Sequence, residues 1–166
     1  APATPAANIQ LPPEMAACNG AATDAAVTAC TRVIDERRVT RDVLVMAYAT
    51  RAATYFQRGD DTRAIADLDA AIRLDPRNWQ ALSLRAQAYS RQRNFDRALA
   101  DITATLPLRS DVSNAYRDRG IIQSRKGDAA AALADFNAAI EQNPNDAAAF
   151  AERAALFIAA NRLQEA

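Results

Sequence analysis

Residues 82–102, which read LSLRAQAYSRQRNFDRALADI, decide the fold. The pattern occurs 34 residues earlier as YATRAATYFQRGDDTRAIADL (48–68) and 34 residues later as YRDRGIIQSRKGDAAAALADF (116–136). An arginine followed by a small residue marks each copy, and Arg153-Ala154 starts a fourth at the same spacing. A period of this length is typical of a helix–turn–helix unit stacked in an array, so the repeat predicts an all-α solenoid.

Within each copy, large apolar residues are spaced to lie on one helix face. The small residues Ala52, Ala86 and Gly120 share one position and allow two helices to approach closely. Turns such as Gly59-Asp60 cap new helices, and Pro76 separates two units because proline cannot continue a helix. The predicted helices cover about 41–58, 61–74, 79–93, 95–106, 112–126, 129–142 and 147–160.

With these positions in register, roughly residues 45–166 resemble the tetratricopeptide repeat family, and the chain is similar to exported proteobacterial members. The resemblance implies a right-handed solenoid of antiparallel helix hairpins, with about three full repeats. The predicted divisions are a flexible arm (1–13), a degenerate cysteine-containing helical unit (14–40), three repeats (41–78, 79–112, 113–146) and a partial repeat (147–166). The chain departs from the family where arginine replaces the usual leucine, where Gln123 replaces an aromatic residue and where Ser110 replaces proline; Pro107 ends its helix three residues early.

The degenerate unit contains the two cysteines of the chain. Residues 24–34 can be laid over 62–72 with an offset of 38, which places Cys30 on the buried face that Leu68 occupies later. Cys18 precedes the Gly20 turn, so the two cysteines lie on facing sides of one helix–turn–helix. We expect a Cys18–Cys30 disulfide that adds roughly 3 kcal/mol to the free energy of unfolding. The alternative is two buried thiols that act as small hydrophobic residues.

Residues 1–13 are rich in proline and alanine and predict an extended or disordered arm. Such a segment commonly follows a signal-peptide cleavage site, in which case the chain is a mature or trimmed form. Disulfides persist in oxidising compartments, so we expect a bacterial periplasmic or secreted protein. The alternatives are an intracellular regulatory or assembly module with reduced cysteines, or a non-catalytic domain of a larger chain.

Composition argues against several other classes of protein. The 20 basic and 20 acidic residues give a formal net charge of zero, so no strong attraction to nucleic acid is implied. No apolar run approaches the ~18 residues of a membrane-spanning helix. Histidine is absent, which removes the commonest general base and most zinc sites. We therefore expect no cofactor, no metal, no membrane insertion and no enzymatic activity.

Each complete repeat carries an aspartate 16 residues after its arginine. The pairs are Arg51 with Asp67, Arg85 with Asp101, and Arg119 with Asp135. The two members lie on the two helices of one unit, so we expect a ladder of salt bridges within a unit or to the unit before it. Such a ladder would fix the helix register; the alternative is independent solvation of the charges.

The resemblance also implies that the first helix of each unit lines a concave groove. The predicted peptide-binding residues in it are Gln80, Gln87, Arg91, Asn114, Arg117, Ile121 and Arg125. Amide and guanidinium groups suit hydrogen bonds to an extended peptide, although the arginines could instead only be solvated. Chaperone-binding members hold a C-terminal carboxylate with a lysine–asparagine clamp. Ala49 and Ala53 occupy the matching positions, which argues against that activity.

These features together predict a non-catalytic scaffold that binds an extended polypeptide in its groove, in the bacterial cell envelope. The fourth unit leaves apolar residues such as Phe157 without the partner that earlier units supply. We therefore expect either that the natural chain continues past Ala166 or that a second copy packs there as a homodimer.

Overall fold

A computed structural model describes residues 13–19, 22–36 and 39–165. None of these residues lies in a β-strand. The helices are α1 (Pro13–Cys18), α2 (Asp24–Asp35), α3 (Arg41–Gln57), α4 (Asp61–Leu74), α5 (Trp79–Arg91), α6 (Phe95–Thr105), α7 (Val112–Lys126), α8 (Ala129–Gln142) and α9 (Ala147–Glu165). The predicted arm at 1–13 lies outside the described residues, except that Pro13 begins α1.

The helices stack in chain order as antiparallel hairpins. The closest pairs are α3 with α4, α5 with α6, and α7 with α8, and each pair also packs against the next one. The first helices of the pairs, α3, α5, α7 and α9, contact one another in sequence. The all-α solenoid predicted from the repeat is therefore confirmed.

The helix boundaries follow the capping residues. Asp60, Asn78 and Asp128 each accept a hydrogen bond from the backbone N–H three residues on, which satisfies a donor that the first helical turn leaves free. The predicted end of the last helix at about 160 is wrong, because α9 continues to Glu165. No glycine or proline interrupts residues 147–165, so nothing forces the backbone hydrogen bonds to stop there.

The core consists of small residues on one helix that face larger ones on its partner. Ala52 packs in one cluster with Leu68, and Ala86 packs in another with Ile102. In the third repeat the contact is tighter, because a Cβ built on Gly120 would lie 2.7 Å from Cε1 of Phe136. The close approach of α7 and α8 therefore requires glycine at this position.

The degenerate unit has its own cluster of buried residues. Cys18 at the end of α1 and Cys30 in α2 form a disulfide, and both residues are fully buried. Met15, Val33 and Val43 pack around it and join the unit to α3. At the opposite end of the stack, α9 exposes large apolar side chains, namely Phe150, Phe157 and Ile158.

Candidate functional site

The repeated arginines lie between the two helices of each hairpin and contact the predicted aspartates. In each pair the arginine Nε and Nη2 donate to the two carboxylate oxygens at 2.6–2.7 Å. Two parallel hydrogen bonds of this kind are the strongest geometry available to an ion pair. The aspartates are buried and the arginines are mostly buried, so solvent screens these pairs less than it screens surface pairs.

The third guanidinium nitrogen, Nη1, donates to a residue of the preceding unit in Arg51, Arg85 and Arg153. Arg85 Nη1 donates to Asp69 of α4 at 2.6 Å, and Arg153 Nη1 donates to Asn137 of α8 at 2.7 Å. Arg51 Nη1 donates to Thr31 of the degenerate unit at 2.8 Å. Hydrogen bonding to Asp101 and Asp69 raises the pKa of Arg85, although burial opposes the shift. The ladder therefore links unit to unit, and its members have a structural role.

The groove is the surface along the first helices α3, α5 and α7, and it contains three cavities. The first lies between α3 and α5 and has a volume of about 280 Å³. It is mostly apolar, and its lining residues are Ala49, Thr50, Ala53, Leu68, Gln80, Ala81 and Leu84. Because Ala49 and Ala53 are so short, they leave room for a side chain of a bound segment.

The other two cavities lie between α5 and α7. One, of about 150 Å³, lies near the C-terminal ends of these helices, and its lining residues are Gln87, Ser90, Asp118, Ile121, Ile122 and Arg125. The other, of about 400 Å³, lies at their N-terminal ends, and its lining residues are Trp79, Leu108, Arg109, Ser110, Asp111 and Asn114. Both polar and apolar groups line each of these cavities, as in sites that hold a peptide by its main chain and its side chains together.

The structure brings together only some of the seven predicted peptide-binding residues. Gln87, Ile121 and Arg125 share one cavity, whereas Gln80 and Asn114 line the other two. None of these positions requires an unusual backbone, because all five lie within regular helices.

Three of the predicted residues have partners within the chain. Arg91 stacks on Phe56 at 3.3 Å from the ring centroid and lies 3.3 Å from Asp61. Asn114 bonds to the carboxylate of Asp111, which caps α7. Arg117 Nη1 donates to both oxygens of Asp146, at 2.9 and 2.8 Å.

The pKa of Asp146 reflects its contact with Arg117. Burial by itself would raise the pKa of Asp146. Hydrogen bonds from the Ala149 amide, Arg117 and Ser113 outweigh that effect, so the pKa lies below its ordinary value. Arg117 therefore joins the third repeat to α9, and its Nη1 is engaged within the chain.

Sequence reasoning missed two residues that border the groove, Trp79 and Arg109. Arg109 follows the short 3₁₀ helix Leu106–Leu108, and its guanidinium stacks on Trp79 at 4.5 Å from the ring centroid. Arg109 Nη1 lies 3.6 Å from Asp118 Oδ2. Burial raises the pKa of Asp118, and the nearby arginines only partly offset it. The displaced proline at 107 was the one available signal that this loop departs from the repeat.

The described residues contain no group of three or more histidine, cysteine, aspartate or glutamate side chains that could hold a metal ion. Among the same residues, no helix combines the length and the apolar character needed to cross a membrane.

The hairpin stack, the ladder and the groove define the class of helical-repeat proteins that present a binding surface on their first helices. Two family models match the sequence: "TPR repeat" over residues 53–92 and "Tetratricopeptide repeat" over residues 84–159. Together they span more than half of the chain, and the chain belongs to the tetratricopeptide repeat family. A search of curated proteins found no match.

Several solved structures have the same fold. The first such domain of Spaghetti (RPAP3), bound to the HSP90 peptide SRMEEVD, is 24% identical, with 76% of this chain and 99% of that chain aligned at a TM-score of 0.65. The second such domain of human RPAP3, in complex with the HSP70 peptide SGPTIEEVD, is also 24% identical. The alignment covers 70% of this chain and 98% of that chain, with a TM-score of 0.65. The crystal structure of MamA is 18% identical, with 83% of this chain and 78% of that chain aligned at a TM-score of 0.71. At these identities the similarity shows the fold alone.

Proposed function

We propose that this protein is a non-catalytic scaffold that binds an extended polypeptide along the groove. The observation that carries the proposal is the set of three cavities that border consecutive first helices, one between α3 and α5 and two between α5 and α7. An extended segment that lies across α3, α5 and α7 would contact a cavity in each of these two helix pairs. Similar folds hold chaperone peptides in the two RPAP3 structures, which supports peptide capture as a use of this architecture.

The mode of capture differs from a clamp for a terminal carboxylate. The first cavity has Ala49 and Ala53 where chaperone-binding relatives carry their clamp, and no cationic side chain lines it. An apolar side chain of the partner fits such a surface, because burying it there removes apolar area from water. We therefore infer that the partner places an aliphatic residue between α3 and α5.

Screening of a displayed random-peptide library against the full chain tests the proposal. The affinity of a selected peptide is then measured for Gln80→Arg and Gln87→Arg, which fill two different cavities from exposed positions. The matched control is Gln142→Arg, at an exposed position at the end of α8. Each groove variant should weaken binding by about tenfold or more, while the control leaves it unchanged. Equal affinities for all three variants would contradict the proposal.

We also propose that the protein works in the bacterial cell envelope or outside the cell. The buried Cys18–Cys30 disulfide supports this location, because structural disulfides persist in oxidising compartments. The rival is an intracellular module with reduced cysteines. Thiol titration of the denatured protein, isolated with rapid alkylation from its native host, distinguishes them. Two reactive thiols would contradict the envelope proposal.

The homodimer predicted at the C-terminal end remains a proposal as well. Its support is the exposed apolar surface of α9, with Phe157 and Ile158 more than half exposed. Sedimentation velocity over a range of concentrations tests it. A monomer at all concentrations would exclude a stable dimer.

A further inference from the structure

The loop before α7 carries an arginine into the groove. Helix α6 ends at Thr105, and a 3₁₀ turn with Pro107 leads to Arg109, whose backbone is extended (φ −104°, ψ 139°). The side chain of Arg109 is only 8% exposed, although it lines the 400 Å³ cavity. An arginine is seldom buried to this extent unless other groups satisfy its charge and its donors.

The donors of this guanidinium are poorly satisfied within the described residues. Its Nε is buried and has no hydrogen-bond partner among them. The nearest carboxylate oxygen, Asp118 Oδ2, lies 3.6 Å from Nη1, which is too long for a good hydrogen bond. A guanidinium has five N–H donors in a fixed fork, so acceptors are needed here that the described chain does not supply.

A second unsatisfied group lies in the neighbouring cavity. The side-chain hydroxyl of Ser90 is buried and has no hydrogen-bond partner within the described part of the chain, and the residue as a whole is 4% exposed. It lines the 150 Å³ cavity together with Gln87 and Asp118. A hydroxyl can donate and accept, so this cavity offers both functions to a bound molecule. Leaving such a group unpaired is unfavourable, whereas a ligand that pairs with it gains affinity.

The charges around the two cavities decide which ligand suits them. The positive side chains are Arg109, Arg117 and Arg125, and the negative ones are Asp111, Asp118 and Asp146. Three charges of each sign give a formal sum of zero. A carboxylate or phosphate bound to Arg109 would add a negative charge beside Asp118 and leave an excess of negative charge, which is unfavourable at a partly buried site. A neutral group with both a donor and an acceptor leaves the balance intact.

We propose that the α5–α7 section of the groove recognises neutral amide groups. Arg109 donates to an amide oxygen, while Asp118 and the Ser90 hydroxyl accept from amide N–H groups. The amides come from the main chain of an extended segment or from asparagine and glutamine side chains. This inference rests on the proposed function and specifies its chemistry: the section binds the segment largely independently of its charge.

The test uses three synthetic peptides with blocked ends, identical except at the centre, which carries alanine, glutamine or glutamate. Each is titrated into the full ¹⁵N-labelled protein while the Arg109 Nε–Hε signal is followed. The alanine peptide should shift this signal, because its main-chain amides can bind Arg109. Tighter binding of the glutamine peptide would show that the amide bound by Arg109 belongs to a side chain of the partner. Tighter binding of the glutamate peptide, with no shift by the neutral ones, would overturn the inference.

Two variants, Arg109→Met and Ser90→Ala, separate a loss of peptide binding from a loss of folding. Arg109→Met removes the guanidinium, and Ser90→Ala removes the unpaired hydroxyl without disturbing its helix. Ser90→Ala should weaken binding several-fold while leaving thermal stability equal or higher, a combination that a purely structural residue would not produce. The matched control for Arg109→Met is Arg77→Met, at an exposed position.

The two failures can be told apart. If the library-selected peptide binds and Gln87→Arg blocks it, but Ser90→Ala and Arg109→Met leave its affinity unchanged, the amide inference fails and the proposed function stands. If Gln80→Arg and Gln87→Arg have no effect either, the proposed function fails with it.

Discussion

At the scale of single residues, the tightest helix contact makes the sharpest prediction. The Phe136 ring is buried next to Gly120, so it would have to shift within the core to admit a Cβ at that position. We expect Gly120→Ala to lower the free energy of unfolding by about 1–3 kcal/mol, because overpacking outweighs the better helix propensity of alanine. Chemical denaturation monitored by circular dichroism measures the change.

The earlier repeats supply the control. They pair alanine with leucine or isoleucine, so Gly120→Ala should cost much less when Phe136→Leu is already present. An equal cost in both backgrounds would show that the clash with Phe136 is not the cause.

Arg93, in the turn between α5 and α6, is a residue whose replacement should raise the free energy of unfolding. Arg93 has φ +60° at the position where Gly59 and Gly127 have φ +78° and +94°. A side chain is strained in this left-handed region, whereas glycine is not. Arg93→Gly should therefore raise the free energy of unfolding by about 0.5–1 kcal/mol, after allowing for the greater flexibility of glycine in the unfolded chain. Arg93→Lys, which keeps the Cβ, should leave stability unchanged, and a loss of stability in Arg93→Gly would refute the argument.

At the scale of helices, the salt-bridge ladder joins the two helices of a hairpin and also joins one hairpin to the next. Arg85 binds Asp101 of its own hairpin and Asp69 of the preceding one. Arg85→Met should destabilise the fold by about 1–3 kcal/mol, because it leaves a buried carboxylate without its counter-charge. The matched control is Arg63→Met, whose ion pair with Asp60 is exposed and should make no measurable difference. Equal effects of the two variants in urea denaturation would mean that burial of the ladder adds nothing.

The same helices show what the sequence can predict. The arginine–aspartate spacing of 16 residues relates positions within one hairpin, so a local argument placed Arg51 and Asp67 on facing helices. The partner of Arg117 was not predictable in this way. Asp146 lies directly before α9, which it caps, and only the packed stack brings it to Arg117.

The groove illustrates the same limit. Gln87 and Arg125 were expected there because the family resemblance implies that first helices line the groove, and both residues line one cavity. Arg109 was missed because its position depends on how the chain leaves α6 after Pro107 and where Trp79 offers a ring to stack on. Both are tertiary features that no repeat pattern encodes.

At the scale of the whole molecule, each described unit packs mainly against its neighbours, so a local change should have a local effect. The Cys18–Cys30 bond closes a loop with a sequence separation of 12, which should stabilise the N-terminal unit by about 3 kcal/mol. Reduction should increase hydrogen exchange strongly in α1 and α2, less in α3 and α4, and not at all in α7 and α8. Exchange measured by mass spectrometry with and without reductant follows each helix separately.

The variant Cys18→Ser/Cys30→Ser controls for effects of the reductant itself. It should show the exchange pattern of the reduced protein and should not respond to reductant. If reduction instead raised exchange equally in all helices, the solenoid would unfold as one cooperative unit. Nearest-neighbour contacts would then be too strong for the N-terminal unit to open by itself. A graded response, falling from α2 to α8, is expected because the disulfide touches only the α1–α3 cluster, whereas the Arg85 and Arg119 pairs hold the later hairpins.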